Sequence, residues 1–313
     1  MFTITQDGPV LRMQSPTSTI EILPKSGAIL NKWQVQMHGK AWNVIEGYDS
    51  PEDFEAQCEA KGFRSCKLSP YVCRIPNSGT YTYNEREYKV GKFDLNGCSL
   101  HGLLYNLPFD IAFFEAAEEL AMVALQYHYQ ATDAGYPFSY FIEVVYFLLP
   151  DDTLKIATTV YNQHKEAIPI ADGWHPYFSL GRSIDELYFE MASDHMLVFD
   201  ERLVPTGDLK PENRFEFLHS LEDISLDNCF LLQKPLLGPA CSLVNTLDKI
   251  ALTITPEDSY PYLQVYTPPH RKSIAIENLS AAPDAFNNRM GLLVLDPDEQ
   301  ATFTTTYQIS PWN

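Results

Sequence analysis

The sequence predicts an all-β protein, a large antiparallel β-sandwich with few short helices. Short segments alternate apolar and polar residues with a period of two, as strands do when one face of a sheet is buried. These segments are rich in Val, Ile, Thr, Tyr and Phe, and clusters of Asp, Gly and Pro separate them. Only residues 51–61 (PEDFEAQCEAK) predict a helix. Many strands with scarcely a helix are typical of an antiparallel sandwich or barrel.

The strand pattern recurs along the chain. It covers residues 120–131, 138–150, 153–162, 251–256, 262–268, 273–278 and 301–310, with turn sequences at 131–137, 149–152, 255–261 and 295–300. The most apolar segment, 138–150, carries Glu143 and is shorter than the roughly twenty apolar residues that a bilayer span needs, so it predicts a buried strand. No flexible linker and no repeat of fixed period appears. Residues 1–313 are therefore expected to form a single β-sandwich domain.

The composition limits the classes of partner. The 313 residues are 45% apolar, enough for a substantial core. Asp and Glu number 41 against 22 Lys and Arg, a formal net charge of -19, and such a field repels a phosphate backbone. We therefore expect no nucleic-acid partner. Residues 1–14 lack a basic segment followed by an apolar core, which predicts a cytoplasmic protein with no membrane partner.

The cysteines and the short motifs give no sign of a cofactor or metal. Six cysteines stand at positions 58, 66, 73, 98, 229 and 241, and none forms a CxxC pair. We interpret them as reduced, mostly buried residues. The sequence has no HExxH or zinc-like Cys/His spacing, no glycine-rich phosphate loop and no GxSxG nucleophile motif.

Two segments supply candidates for acid–base chemistry. The first, GWHPYF at 173–178, holds His175 among aromatic residues. An imidazole donates a proton readily near neutral pH, although a histidine in such a setting is more often a hydrogen-bonded core residue. The second, IAIENLSAAPDAFNN at 274–288, holds Glu277 at the end of an alternating strand. That carboxylate is either a cap for the following loop or a general base.

Three more residues are candidate ligand contacts. Arg74 lies between apolar neighbours in YVCRIPN and needs a partner for its charge, either an internal carboxylate or a ligand oxygen. His101 lies between Gly97 and Gly102 in NGCSLHGLLYN, and glycines allow the close backbone approach that binding loops need. Asp227 opens the apolar run LDNCFLL and taken alone would pass as a turn residue.

In this order, the segments resemble the aldose 1-epimerase (galactose mutarotase) family. The resemblance runs from about Arg74 to Tyr307 and includes the LHG motif at 100–102, GWHPYF, LDNCFLL, Glu277 with its PDAFN sequence, and GLLVLDPDEQATF near the end. It implies a galactose mutarotase-like supersandwich with an open, polar cleft on one sheet. It also implies that Glu277 takes the proton from the anomeric hydroxyl while His175 protonates the ring oxygen, so that the ring opens and recloses as the other anomer.

The resemblance further implies that Arg74, His101 and Asp227 orient sugar hydroxyls, with no metal or cofactor involved. Two positions depart from the usual motifs. The sequence after His101 reads HGLLYN where galactose-specific members usually have His-Gly-Gly, and the closing turn reads DPDEQ with Asp298 where glycine is common. The change beside His101 is expected to reshape the sugar pocket, so the sugar itself stays open.

Three alternatives remain at this point. The first is a mutarotase for a phosphorylated hexose, for which Lys67, Arg64 or Arg86 would have to supply charge. The second is a non-catalytic carbohydrate-binding protein that uses the same cleft. The third is a sandwich with a purely structural role, which leaves the His, Asp, Glu and Arg of the motifs unexplained. Trp174 and Tyr177 are either a stacking face for the sugar or core residues.

Overall fold

The computed structural model describes residues 1–312, with the side chain of residue 194 excepted, and it is built almost wholly from strands. Helix α1 (Pro51–Gln57) is followed by two helical turns, α2 (Pro76–Gly79) and α3 (Ala285–Asn288), and a 3₁₀ turn spans Ile184–Glu186. Ser50 caps α1 by accepting a hydrogen bond from the backbone N–H of Asp53, and Pro51 occupies the first turn. The helix predicted over 51–61 therefore forms but is shorter at its C-terminal end.

The strands of the first half, in chain order, are β1 (Thr3–Asp7), β2 (Val10–Gln14), β3 (Ser18–Leu23), β4 (Ile29–Met37), β5 (Lys40–Asn43), β6 (Lys67–Leu68), β7 (Arg74–Ile75), β8 (Thr80–Tyr83), β9 (Arg86–Lys89), β10 (Asp94–Leu95), β11 (Cys98–Leu100), β12 (Asp110–Ala116), β13 (Ala121–Tyr129), β14 (Tyr140–Leu149) and β15 (Thr153–Asn162). Those of the second half are β16 (Ile168–Ile170), β17 (Gly173–Trp174), β18 (Tyr177–Phe178), β19 (Tyr188–Met191), β20 (Ser193–Phe199), β21 (Pro205–Pro211), β22 (His219–Ser220), β23 (Asp227–Leu232), β24 (Cys241–Asn245), β25 (Ile250–Pro256), β26 (Tyr262–Tyr266), β27 (Ile274–Leu279), β28 (Leu293–Leu295) and β29 (Gln300–Pro311).

Two large antiparallel sheets dominate the fold. One has nine strands in the order β12-β13-β14-β15-β29-β25-β24-β19-β22, and the other has eight, ordered β21-β20-β23-β26-β27-β17-β6 with β18 also paired to β27. Strands β1 to β5 form a separate N-terminal sheet, and β10-β11-β7 form a small three-stranded one. The prediction of an antiparallel β-sandwich with few short helices is confirmed.

The two large sheets face one another across a core rich in aromatic residues. Along β14 and β15 alternate side chains are buried, which explains the period-two pattern of the sequence. Strand β27 is buried along its whole length because it lies at the centre of the eight-stranded sheet. Across the interface, the Asn278 side-chain amide donates to the hydroxyl of Tyr307 on β29 at 2.9 Å. Polar contacts therefore fix the site-bearing sheet against its partner.

A fully buried ion pair joins the two sheets next to β17, the strand that precedes His175. The ammonium of Lys67 on β6 contacts the Asp172 carboxylate and donates to the Thr158 hydroxyl of β15 at 3.0 Å. The Tyr260 hydroxyl donates to the same carboxylate at 2.6 Å. Burial lowers the pKa of Lys67 to about 8, while Asp172 acts in the opposite direction. The lysine therefore depends on its carboxylate partner to keep its charge.

Among the described residues, every helix is too short or too polar to cross a membrane. All six cysteines are buried and unpaired by disulfides, as the sequence predicts.

Asp172→Ala is expected to lower the free energy of unfolding by about 3–5 kcal/mol, because it leaves Lys67 buried without its counter-charge. Urea unfolding at pH 7 measures the change. The double variant Lys67→Met/Asp172→Leu removes both charges and is expected to recover most of the loss. A loss of less than about 1 kcal/mol in the single variant would contradict this account of the pair, since exposed pairs contribute only that much.

Candidate active site

The backbone register places His175 and Glu277 side by side. Gly173 on β17 pairs with Leu279 on β27, and Tyr177 on β18 pairs with Ala275 on the same strand. Counting inward from both pairs, His175 lies opposite Glu277. Directly cross-strand side chains lie about 5 Å apart at their Cβ atoms, so the two functional groups can touch. Residues 102 positions apart in sequence thus become neighbours through sheet register.

The contact between the two side chains is short and buried. Nε2 of His175 lies 3.3 Å from Oε1 of Glu277, and the residues are 5% and 2% exposed. The second atom of each group, Nδ1 of His175 and Oε2 of Glu277, has no hydrogen-bond partner among the described residues. A buried polar atom without a partner is costly in a protein whose role is purely structural. These atoms are therefore candidates for ligand contacts.

Arg74 and His101 reach the same place from the small three-stranded sheet. Arg74 on β7 pairs in register with Leu100 on β11, and His101 follows directly after that strand. His101 has a left-handed backbone, with φ of +60°, and its N–H donates to the carbonyl of Cys73 at 2.8 Å. This turn places the imidazole edge against the His175 ring, with centroids 5.0 Å apart. The glycine-flanked loop thus delivers His101 to the pair.

Asp227 and Gln264 belong to the same cluster of polar side chains as His175, Glu277, Arg74 and His101. Gln264 pairs in register with Glu277, and its amide donates to the Asp227 carboxylate at 2.7 Å. An Arg74 guanidinium nitrogen lies 4.0 Å from the other Asp227 oxygen. Gln264 is 6% exposed, and its side-chain oxygen Oε1 has no hydrogen-bond partner in the described part of the chain. Sequence reasoning missed Gln264, because it is one polar residue in an alternating strand.

A cleft of about 640 Å³ covers these groups. The polar residues His101, His175, Glu277, Asp227, Gln264 and Arg74 line it, as do Tyr177, Tyr266, Phe63, Phe93, Phe199, Leu95 and Leu203. Its size is that of a pocket for a small organic molecule, and it combines apolar walls with a few convergent polar groups. All five residues singled out in the sequence therefore border one cavity.

Burial sets the titration of the central pair. It raises the pKa of the Glu277 carboxyl well above its ordinary value, the charge of Asp227 raises it further, and Arg74 opposes both. Burial lowers the pKa of His175 to about 4. Both shifts disfavour charge, so the pair favours a protonated Glu277 beside a neutral His175. Perturbed groups of this kind, facing a cleft, are typical of sites that transfer protons.

Of the other candidate ligand contacts considered in the sequence analysis, only Tyr177 reaches the cleft. Trp174 is 2% exposed and packs in the core against Tyr146, with ring centroids 5.9 Å apart, whereas Tyr177 lines the cleft. Lys67 is held by Asp172, Arg64 is paired with Glu46 at 2.8 Å, and Arg86 is an exposed residue of the β8–β9 hairpin. None of these three cations lines the cleft. Among the side chains that the structure describes, no group of three His, Cys, Asp or Glu residues is arranged to hold a metal ion.

A family model described as aldose 1-epimerase matches residues 9–308. The chain belongs to the aldose 1-epimerase family. Among its relatives, the uncharacterized protein YihR of Escherichia coli (strain K12) is 27% identical in an alignment of 244 residues that covers 73% of each chain.

Solved structures show the same fold. A galactose mutarotase-like protein from Clostridium acetobutylicum superposes with a TM-score of 0.86 at 17% identity, over 99% of this chain and 98% of that one. The galactose 1-epimerase of Lactobacillus acidophilus superposes with a TM-score of 0.82 at 18% identity, over 100% and 99%. At these identities the likeness establishes a galactose mutarotase-like sandwich.

Glu277→Gln is expected to raise the free energy of unfolding at pH 7, because it removes a carboxyl that burial prevents from ionising freely. Folded Glu277 has a raised pKa, so the wild type loses stability as the pH rises from the ordinary value of 4.5 toward that raised pKa. Below pH 4.5 the wild type and the variant should be equally stable. Urea unfolding across this range measures the gap.

The exposed residue Glu257 provides the control, since Glu257→Gln removes a carboxylate outside the cleft. That variant measures the effect of the same chemical change at a site outside the cleft. A gap for Glu277→Gln that stays constant with pH would contradict the raised pKa of this carboxyl.

Proposed function

We propose that this protein interconverts the α and β anomers of a neutral aldose by acid–base ring opening, with Glu277 as general base and His175 as general acid. The observation that carries the proposal is the buried 3.3 Å contact between the two groups on the wall of the cleft. A carboxyl and an imidazole side by side can exchange protons with two oxygens of one ligand. Membership of the aldose 1-epimerase family supports the same reaction.

The spacing of the pair matches the chemistry of an anomeric centre. The ring oxygen O5 and the hydroxyl oxygen O1 are both bonded to C1, so an acid and a base acting on them must be neighbours. Glu277 takes the proton of the O1 hydroxyl, the C1–O5 bond breaks, and His175 gives a proton to O5. Rotation of the aldehyde about C1–C2 and closure with the reverse proton transfers give the other anomer. No atom is gained or lost.

One proton shared by the pair is sufficient for the whole cycle. Opening starts once the proton of the neutral pair has passed from Glu277 to His175, so that a carboxylate faces an imidazolium; after opening, the acid again faces a neutral imidazole. Burial favours the neutral arrangement, because it raises the pKa of Glu277 and lowers that of His175. The same shifts make the carboxylate a stronger base and the imidazolium a stronger acid. Burial of Glu277 and His175 therefore favours the two proton transfers that open the sugar ring.

The remaining polar residues are proposed to bind the sugar hydroxyls. Arg74 offers guanidinium donors, and Asp227 keeps acceptor capacity because its ion pair with Arg74 is long, at 4.0 Å. His101 and Gln264 each present a buried atom that finds no partner within the described chain. Tyr266 supplies aromatic surface beside these groups. Such mixed polar and aromatic walls suit a pyranose, which has both hydroxyls and an apolar face.

A neutral sugar fits the charges of the cleft better than a phosphorylated one. Arg74 is the cation among the residues that line it, and Asp227 balances that charge in part. Lys67 and Arg64, which a hexose phosphate would have recruited, are committed to Asp172 and Glu46. A carbohydrate-binding protein without catalysis would not need an acid and a base in contact. These observations favour the enzyme over both alternatives.

Glu277→Gln and His175→Asn are each expected to slow anomer exchange by roughly 10²- to 10⁴-fold, the contribution of a positioned general acid or base. Polarimetry follows the relaxation of freshly dissolved aldoses, and NMR exchange spectroscopy measures the rate at equilibrium. A panel of neutral aldoses and hexose 6-phosphates identifies the sugar class.

Two exposed residues offer the same chemical changes outside the cleft. Glu257→Gln and His128→Asn should retain the wild-type rate. If the wild type does not accelerate the anomer exchange of any sugar, or if the two cleft variants are as fast as the wild type, the proposed function is wrong. A preference for hexose 6-phosphates would show instead that the substrate is anionic.

A further inference from the structure

The imidazole of His175 lacks the hydrogen bond that usually orients a histidine. In most sites a carbonyl or carboxylate bonded to the second ring nitrogen fixes the plane and the tautomer. Here Nδ1 of His175 is buried without a partner in the described part of the protein, while Nε2 faces Glu277. The orientation of the ring therefore depends on packing as well as on the contact of Nε2 with Glu277.

Two rings pack against the His175 ring, and one of them lies parallel to it. The Tyr177 ring lies 5.1 Å from it between centroids with an interplanar angle of 15°. His101 meets it edge-on, with an interplanar angle of 81°. His175 and Tyr177 are two positions apart, so they project from the same side of the chain around Pro176. The parallel ring restricts rotation of the imidazole about its Cβ–Cγ bond.

Tyr177 is itself held rigidly. The backbone carbonyl of Tyr177 accepts a hydrogen bond from the N–H of Glu46 at 2.9 Å, and Tyr177 pairs in register with Ala275 on β27. Its hydroxyl donates to the carbonyl of Gly62 at 3.1 Å. Gly62 has a φ of +77°, and a Cβ added there would lie 2.7 Å from that hydroxyl, so this approach requires glycine. A ring fixed at both ends can serve as a rigid support.

The face of an aromatic ring also interacts favourably with a cation stacked on it. His175 becomes a cation whenever it takes up the proton that it delivers to the sugar. A tyrosine ring can therefore support the imidazole plane in both protonation states. The nitrogen that exchanges the proton is Nε2, because it is the one that lies 3.3 Å from Glu277.

We infer that Tyr177 is the positioning residue of the acid, holding the plane of the His175 ring so that Nε2 stays beside Glu277; this inference rests on the proposed function. Tyr177 acts through His175, and its hydroxyl serves to anchor the ring to Gly62. The role belongs to the aromatic face, so phenylalanine should fulfil most of it and an aliphatic side chain should not.

The test compares Tyr177→Met with Tyr177→Phe. Tyr177→Met keeps a large flexible apolar side chain, which cores tolerate well. It is expected to lower kcat by roughly 10- to 100-fold, the effect of a misplaced catalytic group, with KM within about twofold of the wild type. Tyr177→Phe should retain kcat within about threefold because it keeps the ring face. Equal losses of kcat in both variants, or no loss in Tyr177→Met, would overturn the inference.

Tyr83 provides a matched control for lost stability. It is 5% exposed, lies outside the cleft lining and donates its hydroxyl to the carbonyl of Ala167 at 3.0 Å. Tyr83→Met should destabilise the protein while leaving kcat unchanged. If kcat falls as much in Tyr83→Met as in Tyr177→Met, the effect is general destabilisation and the positioning role is wrong.

NMR of the wild type supplies a readout that needs neither catalysis nor a folded variant. The ring protons of His175 should be shifted upfield by the Tyr177 ring, and unshifted resonances would overturn the stacking arrangement. A wild type that accelerates no aldose would remove the proposed function, whatever these resonances show. An active wild type with an unaffected Tyr177→Met variant would remove only the role of Tyr177.

Discussion

The contact between His175 and Glu277 is the interaction on which the site depends. It exists because β17 and β18 both pair with β27, which places the two residues opposite each other, and both side chains are buried. A proton shared between these groups needs no outside donor in a closed cycle of ring opening and ring closure. Burial penalises the charged form of the pair more than the neutral form, which gives the cleft its proposed acid–base strength.

Three supports hold that contact in place. The Lys67–Asp172 pair, with Thr158 and Tyr260, ties the strand before His175 to the opposite sheet. Next to Glu277, the side-chain amide of Asn278 donates a hydrogen bond to the hydroxyl of Tyr307 and so ties β27 to the opposite sheet. Above the pair, the Tyr177 ring lies parallel to the imidazole. A sandwich with few helices suits this task, since register and cross-sheet contacts fix side chains more closely than mobile loops do.

The sequence predicted the strands well and the contacts across the sheet only in part. The segment 153–162 became a strand with the predicted bounds, because its alternation reports one buried face. An alternating pattern does not distinguish a side chain that faces solvent from one that faces a cleft. Gln264 was therefore not predicted as a site residue, although it pairs with Glu277. The pattern likewise left Trp174 ambiguous, and the structure places that side chain in the core. The ordered motifs brought Arg74 and Asp227 to notice, but their 4.0 Å approach depends on how two separate sheets pack.

A crystal structure of the Glu277→Gln variant with a bound aldose tests the central claim most directly, because this change should trap the unopened ring. The account predicts that C1 lies over the pair, with O1 within hydrogen-bond distance of residue 277 and O5 within hydrogen-bond distance of Nε2 of His175. The hydroxyls farther from C1 should reach Arg74, His101 or Asp227. A sugar bound with its anomeric carbon away from the pair, or outside the cleft, would contradict the account.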